Sequence, residues 1–242
     1  DFKINGTIDN YLGYFLRDEM LKGSFNFNSN QIDLDQIMGT SGTSTTSSET
    51  TAPAETSGDP LLIPDNVDFN LNANIKTLKY SGIDLKNVQG NIKVKEEIAS
   101  LNDLTMNAMG GFIGLTGSYN TQNHDKPKID IRYILKELDI AQLVNNFVSI
   151  EKLAPIAKYT QGKISSTFSM NTFLTPSLEP IYSSLTGGGD LSTTKITISG
   201  FEPLKKISQE LKMEKLATQT IDNFKAKFKF ENGKVALNPF DV

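Results

Sequence analysis

The sequence predicts a mainly β protein: an antiparallel, curved or twisted amphipathic sheet, a gutter or half-barrel, with a few short helices packed on it or capping it. Three observations carry this expectation. Residues 67 to 76, Val-Asp-Phe-Asn-Leu-Asn-Ala-Asn-Ile-Lys, alternate apolar and polar side chains without a break. Successive side chains of a strand point to opposite faces, so such a segment has one oily and one wet side. The same period of two returns in segment after segment to the end of the chain. Only the stretches near 139–157 and 202–213 switch to apolar residues three or four apart, the spacing of a helix.

Taken in order, residues 1–38 form an upstream strand segment. Phe2 and Ile4 alternate with Lys3 and Asn5, Tyr11 to Leu21 reads as helical or irregular, and Phe25 and Phe27 alternate with Ser24, Asn26 and Asn28. Ile32 and Leu34 continue after a short break. Residues 39–60 are Thr, Ser, Ala, Glu, Gly and Pro, with one Asp at 59. They offer no apolar surface to offset the entropy of ordering, which predicts a disordered linker. A β domain over 61–242 follows.

That domain opens with strands Val67–Tyr80, Ile83–Lys95, Ile98–Asn107 and Phe112–Tyr119, punctuated by Gly90, Gly110, Gly111, Gly114 and Gly117. Glycine within a strand marks a bulge, a bend or a close approach of backbones. Lys128–Lys136 adds a strand with Ile129, Ile131, Tyr133 and Leu135 on one face. The hairpin-length breaks predict an antiparallel meander.

Asp139 then caps a helix whose stripe is Ile140, Leu143, Val144 and Phe147. Ile150, Leu153 and Ile156 extend the stripe, but Pro155 cannot sit deep in a helix, so two short helices are expected. Strand Lys163–Asn171 has Ile164, Phe168 and Met170 on one face. Tyr182 and Leu185 lie in a short turn after Pro180, and Gly187–Gly189 precede a strand Asp190–Ser199. Glu202-Pro203 opens a helix with stripe Leu204, Ile207 and Leu211. Last, Phe224, Ala226, Phe228 and Phe230 face away from Lys225, Lys227 and Lys229. Asn232-Gly233 is a two-residue turn leading to Val235 and Leu237.

The chain has 242 residues, 38% of them hydrophobic, enough for one sizeable core or one domain with a satellite segment. A net charge of −4 with no basic cluster argues against nucleic acid. The absence of cysteine excludes disulfides, thiolate metal sites and thiol nucleophiles. With one histidine, a zinc site would be mostly carboxylate, which zinc disfavours. No apolar run reaches the ~20 residues of a spanning helix. The chain starts without Met inside a strand pattern, which predicts an excised piece whose anchor lies elsewhere.

Candidate chemistry is sparse. His124 sits in a polar turn with only Asp125 beside it, as a solvated loop residue would. Asp33 and Asp35, two apart, share one strand face and read as the wet side of an edge strand. Glu96-Glu97 lies at a hairpin apex. Gly187–Gly189 leads into a strand, where a phosphate loop leads into a helix. Asn5-Gly-Thr7 matches a glycosylation acceptor, and the Lys225/Lys227/Lys229 ladder is a solvated face that discourages edge pairing. No catalytic residue, metal ligand or cofactor is assigned.

The stretch Leu138-Asp-Ile-Ala, then Phe147-Val-Ser-Ile-Glu-Lys-Leu-Ala-Pro155 and Gly162-Lys-Ile-Ser, resembles the AsmA family of Gram-negative envelope proteins. So does the run Leu185-Thr-Gly-Gly-Gly-Asp-Leu, Ile196-Thr-Ile-Ser-Gly-Phe201, Pro203-Leu-Lys-Lys-Ile, and Phe228-Lys-Phe-Glu-Asn-Gly-Lys-Val-Ala-Leu-Asn-Pro-Phe240. The likeness covers roughly 61–242 as a pattern of Gly, Pro and apolar positions. The Ser/Thr linker departs from it. The resemblance implies a protein anchored in the inner membrane, facing the periplasm and non-enzymatic. It also implies a role in outer-membrane assembly and lipid homeostasis, on a gutter like that of bridge-like lipid transfer proteins, with lipid and envelope proteins as partners.

An acyl chain in water costs about 0.8 kcal/mol per CH₂, or roughly 13 kcal/mol for sixteen carbons. A carrier offsets this with a continuous apolar trough. The candidate lining is Val67, Phe69, Leu71 and Ile75, with Ile129, Ile131 and Tyr133. Phe168, Met170, Ile196, Ile198, Phe224, Phe228 and Phe230 would continue it. Against this stands an ordinary core covered by the helices at 139–157 and 202–213. Further rivals are a ligand-free structural or protein-interaction module, and a glycosidase with facing carboxylates. A transmembrane barrel fails because helices interrupt the strands.

Overall fold

The computed structural model describes residues 2–37, 61–175, 177–231 and 233–237. The expected linker at 39–60, Asn232 of the last turn and Phe240 lie outside the described residues. The rest is dominated by one sheet of 13 strands that follow one another almost in chain order without closing into a barrel. Strands β1 (Phe2–Asp9) and β2 (Leu21–Asp33) lead into β3 (Val67–Tyr80), β4 (Ile83–Lys95), β5 (Ile98–Ala108), β6 (Gly111–Asn120) and β7 (Lys128–Asp139). The path continues through β8 (Thr160–Phe173), β9 (Thr186–Ser192), β12 (Lys225–Glu231) and β13 (Lys234–Leu237). Strands β10 (Lys195–Ser199) and β11 (Thr218–Asp222) form a branch on the first residues of β8.

Tight turns set the meander. Ser81-Gly82, Glu96-Glu97 and Met109-Gly110 each join two strands with both central residues at positive φ. That is the turn whose twist matches the strands it connects. The expected antiparallel order holds from β3 to β9. It fails at one place: β2 runs parallel to β3, from Leu21 opposite Val67 to Asp33 opposite Lys79. A parallel pair needs a long crossover, and the connection between β2 and β3 is long enough to be one.

The strict period of two breaks inside several strands, and the apolar face survives each break. In β4 the face passes from Leu85 to Val88 across Asn87, whose φ is 53°. In β5 it passes from Leu101 to Leu104 across Asp103, φ 48°, with a shift of register. In β7 it passes from Leu135 to Leu138 across Glu137, φ 55°. Each bulge inserts one residue and returns the next apolar side chain to the same side.

Among the described residues five short α-helices connect the strands: α1 (Tyr11–Arg17), α2 (Leu34–Ile37), α3 (Ile140–Asn146), α4 (Val148–Leu153) and α5 (Glu202–Glu210). As expected, Asp139 caps α3 by accepting from Gln142 N at 2.9 Å. Pro155 ends the helical run and opens a 3-10 turn to Tyr159. Two expectations are corrected. The stretch Tyr11 to Leu21, read as helical or irregular, is a helix to Arg17 and irregular to Met20, but Leu21 already belongs to the β2–β3 ladder. Asp190–Ser199 is two strands, with Gly187–Gly189 inside β9. The chain turns at Thr193 because β9 pairs with β8 and β12, whereas β10 pairs with β11 and the start of β8.

The core is a pair of linked clusters on one face. Ile75, Val88 and Met106 gather Phe27, Ile32, Leu78, Leu85, Leu104 and Ile113. Ile83, Ala108, Met109 and Leu138 gather Leu85, Ile113, Leu135, Leu143 and Ile164. Helix α3 joins the second cluster through Leu143 and closes that corner. Other apolar side chains stay open: Ile207 of α5 and Leu211 just after it are exposed, although Leu204 is half-buried, and in α1, Leu12, Phe15 and Leu16 are exposed.

Candidate functional site: one apolar sheet face

Directly opposite residues of neighbouring strands share a face, so the registers show which side chains meet. One row runs Phe25–Leu71–Ile92–Leu101–Gly117–Ile131–Met170–Gly187 from β2 to β9. The row beside it runs Gly23–Phe69–Val94–Ala99–Tyr119–Ile129. On the other side Leu104, Leu115, Tyr133, Phe168, Gly189 and Phe228 continue to Leu237 of β13. The face is apolar along its width.

Val67, Ile75, Ile129 and Phe230 are buried, while Phe69, Leu71, Ile131, Tyr133, Phe168, Met170 and Phe228 are half-buried on this face. Phe224 is half-buried just before β12. Ile196 and Ile198 are buried on the branch, opposite Gly162 and Thr160, off the main run of strands. The reading by alternation missed Ile92, Leu101, Leu104 and Leu115, which complete the rows. Their apolar spacing is visible in the sequence, but their row neighbours are set by register.

At the C-terminal side the face becomes aromatic. Tyr133 stacks on Phe168 with centroids 4.8 Å apart, and Phe168 meets Phe228 at 6.0 Å and Phe230 at 6.3 Å. Strand β9 lies between β8 and β12, which would hold the ring-bearing backbones about 9.6 Å apart. Gly189, opposite both Phe168 and Phe228, lets the rings close over it. A Cβ there would stand 2.1 Å from the Thr167 carbonyl oxygen and 2.5 Å from Phe168 Cβ. Gly189→Ala is therefore expected to cost about 2–3 kcal/mol, as overpacking does, with loss of the aromatic near-ultraviolet circular dichroism signal. Unchanged urea unfolding would disprove this account of the glycine.

Burial pushes the Tyr133 phenol above its ordinary value of 10.0. Proton binding is thus favoured in the folded state. The resulting stability is complete below the ordinary tyrosine value and is lost as pH rises through the folded one. Ultraviolet difference titration of the protein against its Tyr133→Phe variant is expected to show one phenol ionising late.

The opposite face is wet, with an asparagine ladder across four strands. Asn72 Nδ2 donates to Asn26 Oδ1 at 3.1 Å, Asn91 Nδ2 to Asn72 Oδ1 at 2.9 Å, and Asn102 Nδ2 to Asn91 Oδ1 at 3.0 Å. Each amide satisfies its neighbour, which pins the register of β2 to β5 from outside.

The acidic candidates resolve into structural roles. Asp33 and Asp35 do not share a strand face, because β2 ends at Asp33 and Asp35 lies in α2; at Asp33 the strand is paired with β3 alone, since β1 pairs no further than Ser29. Asp33 Oδ1 accepts from Gln36 N at 3.0 Å at the start of α2, and the Asp35 carboxylate accepts from the Ser81 and Gly82 amides at 2.7 and 3.0 Å. His124 has a nearer partner than Asp125, since its Nε2 lies 2.6 Å from Glu97 Oε1. The sheet brings the β4–β5 turn beside the β6–β7 loop, a neighbourhood that local sequence does not encode. Among the described residues no group of three or more His, Asp or Glu is arranged to hold a metal.

Fold and face together define an open, amphipathic β-sheet protein with one long apolar side. Comparison with protein-family models, curated proteins and solved structures finds no match. Among the described residues no helix is long and apolar enough to cross a membrane.

Proposed function

We propose that this chain is a non-enzymatic, periplasm-facing part of an AsmA-like envelope protein, anchored in the inner membrane through a segment outside this chain. It shelters or passes lipid along its apolar face and so supports outer-membrane assembly and lipid homeostasis. The carrying observation is that the apolar rows cross the sheet from β2 to β12, and that α3 is the helix seen to pack into the apolar clusters, at one corner. Side chains such as Leu71, Ile131 and Phe168 stay half-buried, with surface left for acyl chains. The Gly, Pro and apolar pattern of 61–242 supports the family reading.

Lipid extraction and native mass spectrometry of the purified chain are expected to find co-purified phospholipid, and added phospholipid is expected to displace a hydrophobic dye. A lipid-free protein whose dye is not displaced would sink the carrier reading. A second reading, a structural or protein-interaction module, draws on β1. Its Phe2, Ile4 and Ile8 are 69%, 55% and 54% exposed beside a strand edge that has no partner among the described residues. Under that reading dye binds but phospholipid does not compete.

A further inference from the structure

A cleft lies at the end of the sheet where the β3–β4 turn, the β5–β6 turn and α3 converge. Its volume is about 760 Å³, within the ~300–1,000 Å³ span of small-ligand sites. Its axis is one transverse row: Lys86 opposite Asn107, Asn107 opposite Phe112, and Phe112 opposite Lys136. Directly opposite residues share a face, so both lysines stand over the same floor. Three strand spacings separate them, roughly 14 Å between backbones, so two extended lysine stems reach a group held midway.

Among the described residues neither lysine has an ion-pair partner, and the Lys136 ammonium sits 5.4 Å from the centroid of the Phe112 ring. Between them, Asn107 Oδ1 accepts from Asn87 Nδ2 at 3.3 Å. That bond orients the amide and leaves its own N–H groups to donate. Gln142 and Asn146, one helical turn apart on α3, line the cleft together with Asp84 and Glu137, while Ile83, Ala108 and Met109 give it an apolar portion. Leu143 of α3 packs into the cluster around Leu138, and Ile83, Ala108 and Met109 of that cluster reach the cleft. The Lys86–Lys136 row lies on the face opposite the apolar rows, so the inference does not rest on lipid carriage.

We propose that this cleft binds a saccharide bearing a phosphate monoester. Lys86, Lys136 and the Asn107 amide hold the phosphate from both sides, as charge-assisted donors do. Asp84 and Glu137 would repel a bare anion, yet they accept hydrogen bonds from sugar hydroxyls. Gln142 and Asn146 serve the same hydroxyl-rich body, and the half-buried Phe112 ring offers an apolar surface to a pyranose face. The sugar phosphate is either a free metabolite or the headgroup of a glycolipid.

Nuclear magnetic resonance titration with glucose 6-phosphate, glucose and inorganic phosphate tests this. Glucose 6-phosphate is expected to give saturable shifts of the Asn107, Gln142 and Asn146 side-chain amides. Glucose and phosphate alone are expected to bind about tenfold more weakly or less, and Lys86→Gln with Lys136→Gln to weaken the sugar phosphate about tenfold. Both lysines are exposed, so the remaining amide spectrum checks that the double variant keeps its fold. A phosphorylated glycolipid in micelles that shifts the same amides at lower concentration assigns the headgroup as the source; equal affinity assigns the free metabolite. Inorganic phosphate matching the sugar phosphate, shifts elsewhere, or an unaffected double variant would overturn the proposal.

Discussion

Leu138→Ala is expected to be the costliest truncation in this protein, at about 3–5 kcal/mol. Leu138 is 0% exposed and lies opposite Ile164 in the cluster that joins sheet and α3. The bulge at Glu137 places it there, so neighbouring backbone cannot collapse freely into the space left. The loss combines the transfer free energy of the deleted methyl groups with an unfilled cavity. In urea the midpoint should fall with an unchanged slope, as for a change in stability without a change in compactness. Ile4→Ala is the contrast: Ile4 is 55% exposed on the edge strand, and its loss should stay within about 1 kcal/mol. If Leu138→Ala cost no more than Ile4→Ala, the corner under α3 would not be the anchored part of the fold.

Leu71→Asp combined with Ile131→Asp is expected to lower co-purified phospholipid by about tenfold or more. Both residues lie in the same transverse row and both are half-buried. A carboxylate at each position keeps its water in the empty protein, so folding tolerates it. Under an acyl chain the same carboxylate must be stripped of water with no partner, at a cost of roughly several kcal/mol per group. The control is Thr116→Asp, an exposed position on the opposite face and directly across from Arg132. Circular dichroism separates lost lipid from lost fold. Equal lipid in the double variant and the control would mean that the trough does not carry the cargo.

Particular residues show how far the sequence could be read. Val67, Phe69, Leu71 and Ile75 were readable as one face because β3 keeps a strict alternation over them. The face past Ile75 was not readable, because the chain skips to Leu78 there, and bulges at Asn87, Asp103 and Glu137 make the same skip in other strands. A period of two cannot be followed through an inserted residue. The cleft was invisible for another reason. Lys86 and Lys136 are fifty positions apart, each reading alone as an ordinary solvated lysine, and only the ladder through Asn107 and Phe112 sets them over one floor.

The amino-acid sequence by itself determined that this protein is made of strands with one oily side, where its tight turns fall, and that Asp139 and Pro155 bound short helices. These are properties of local backbone dihedrals and of side chains within a few residues of one another. The tertiary structure alone decided the parallel join of β2 to β3, the branch at β8, the packing of α3 at one corner of the sheet, and the pairing of His124 with Glu97. Many registers match apolar to apolar equally well. The choice among them rests on backbone hydrogen bonds, bulges and the asparagine ladder, which link residues far apart in the chain.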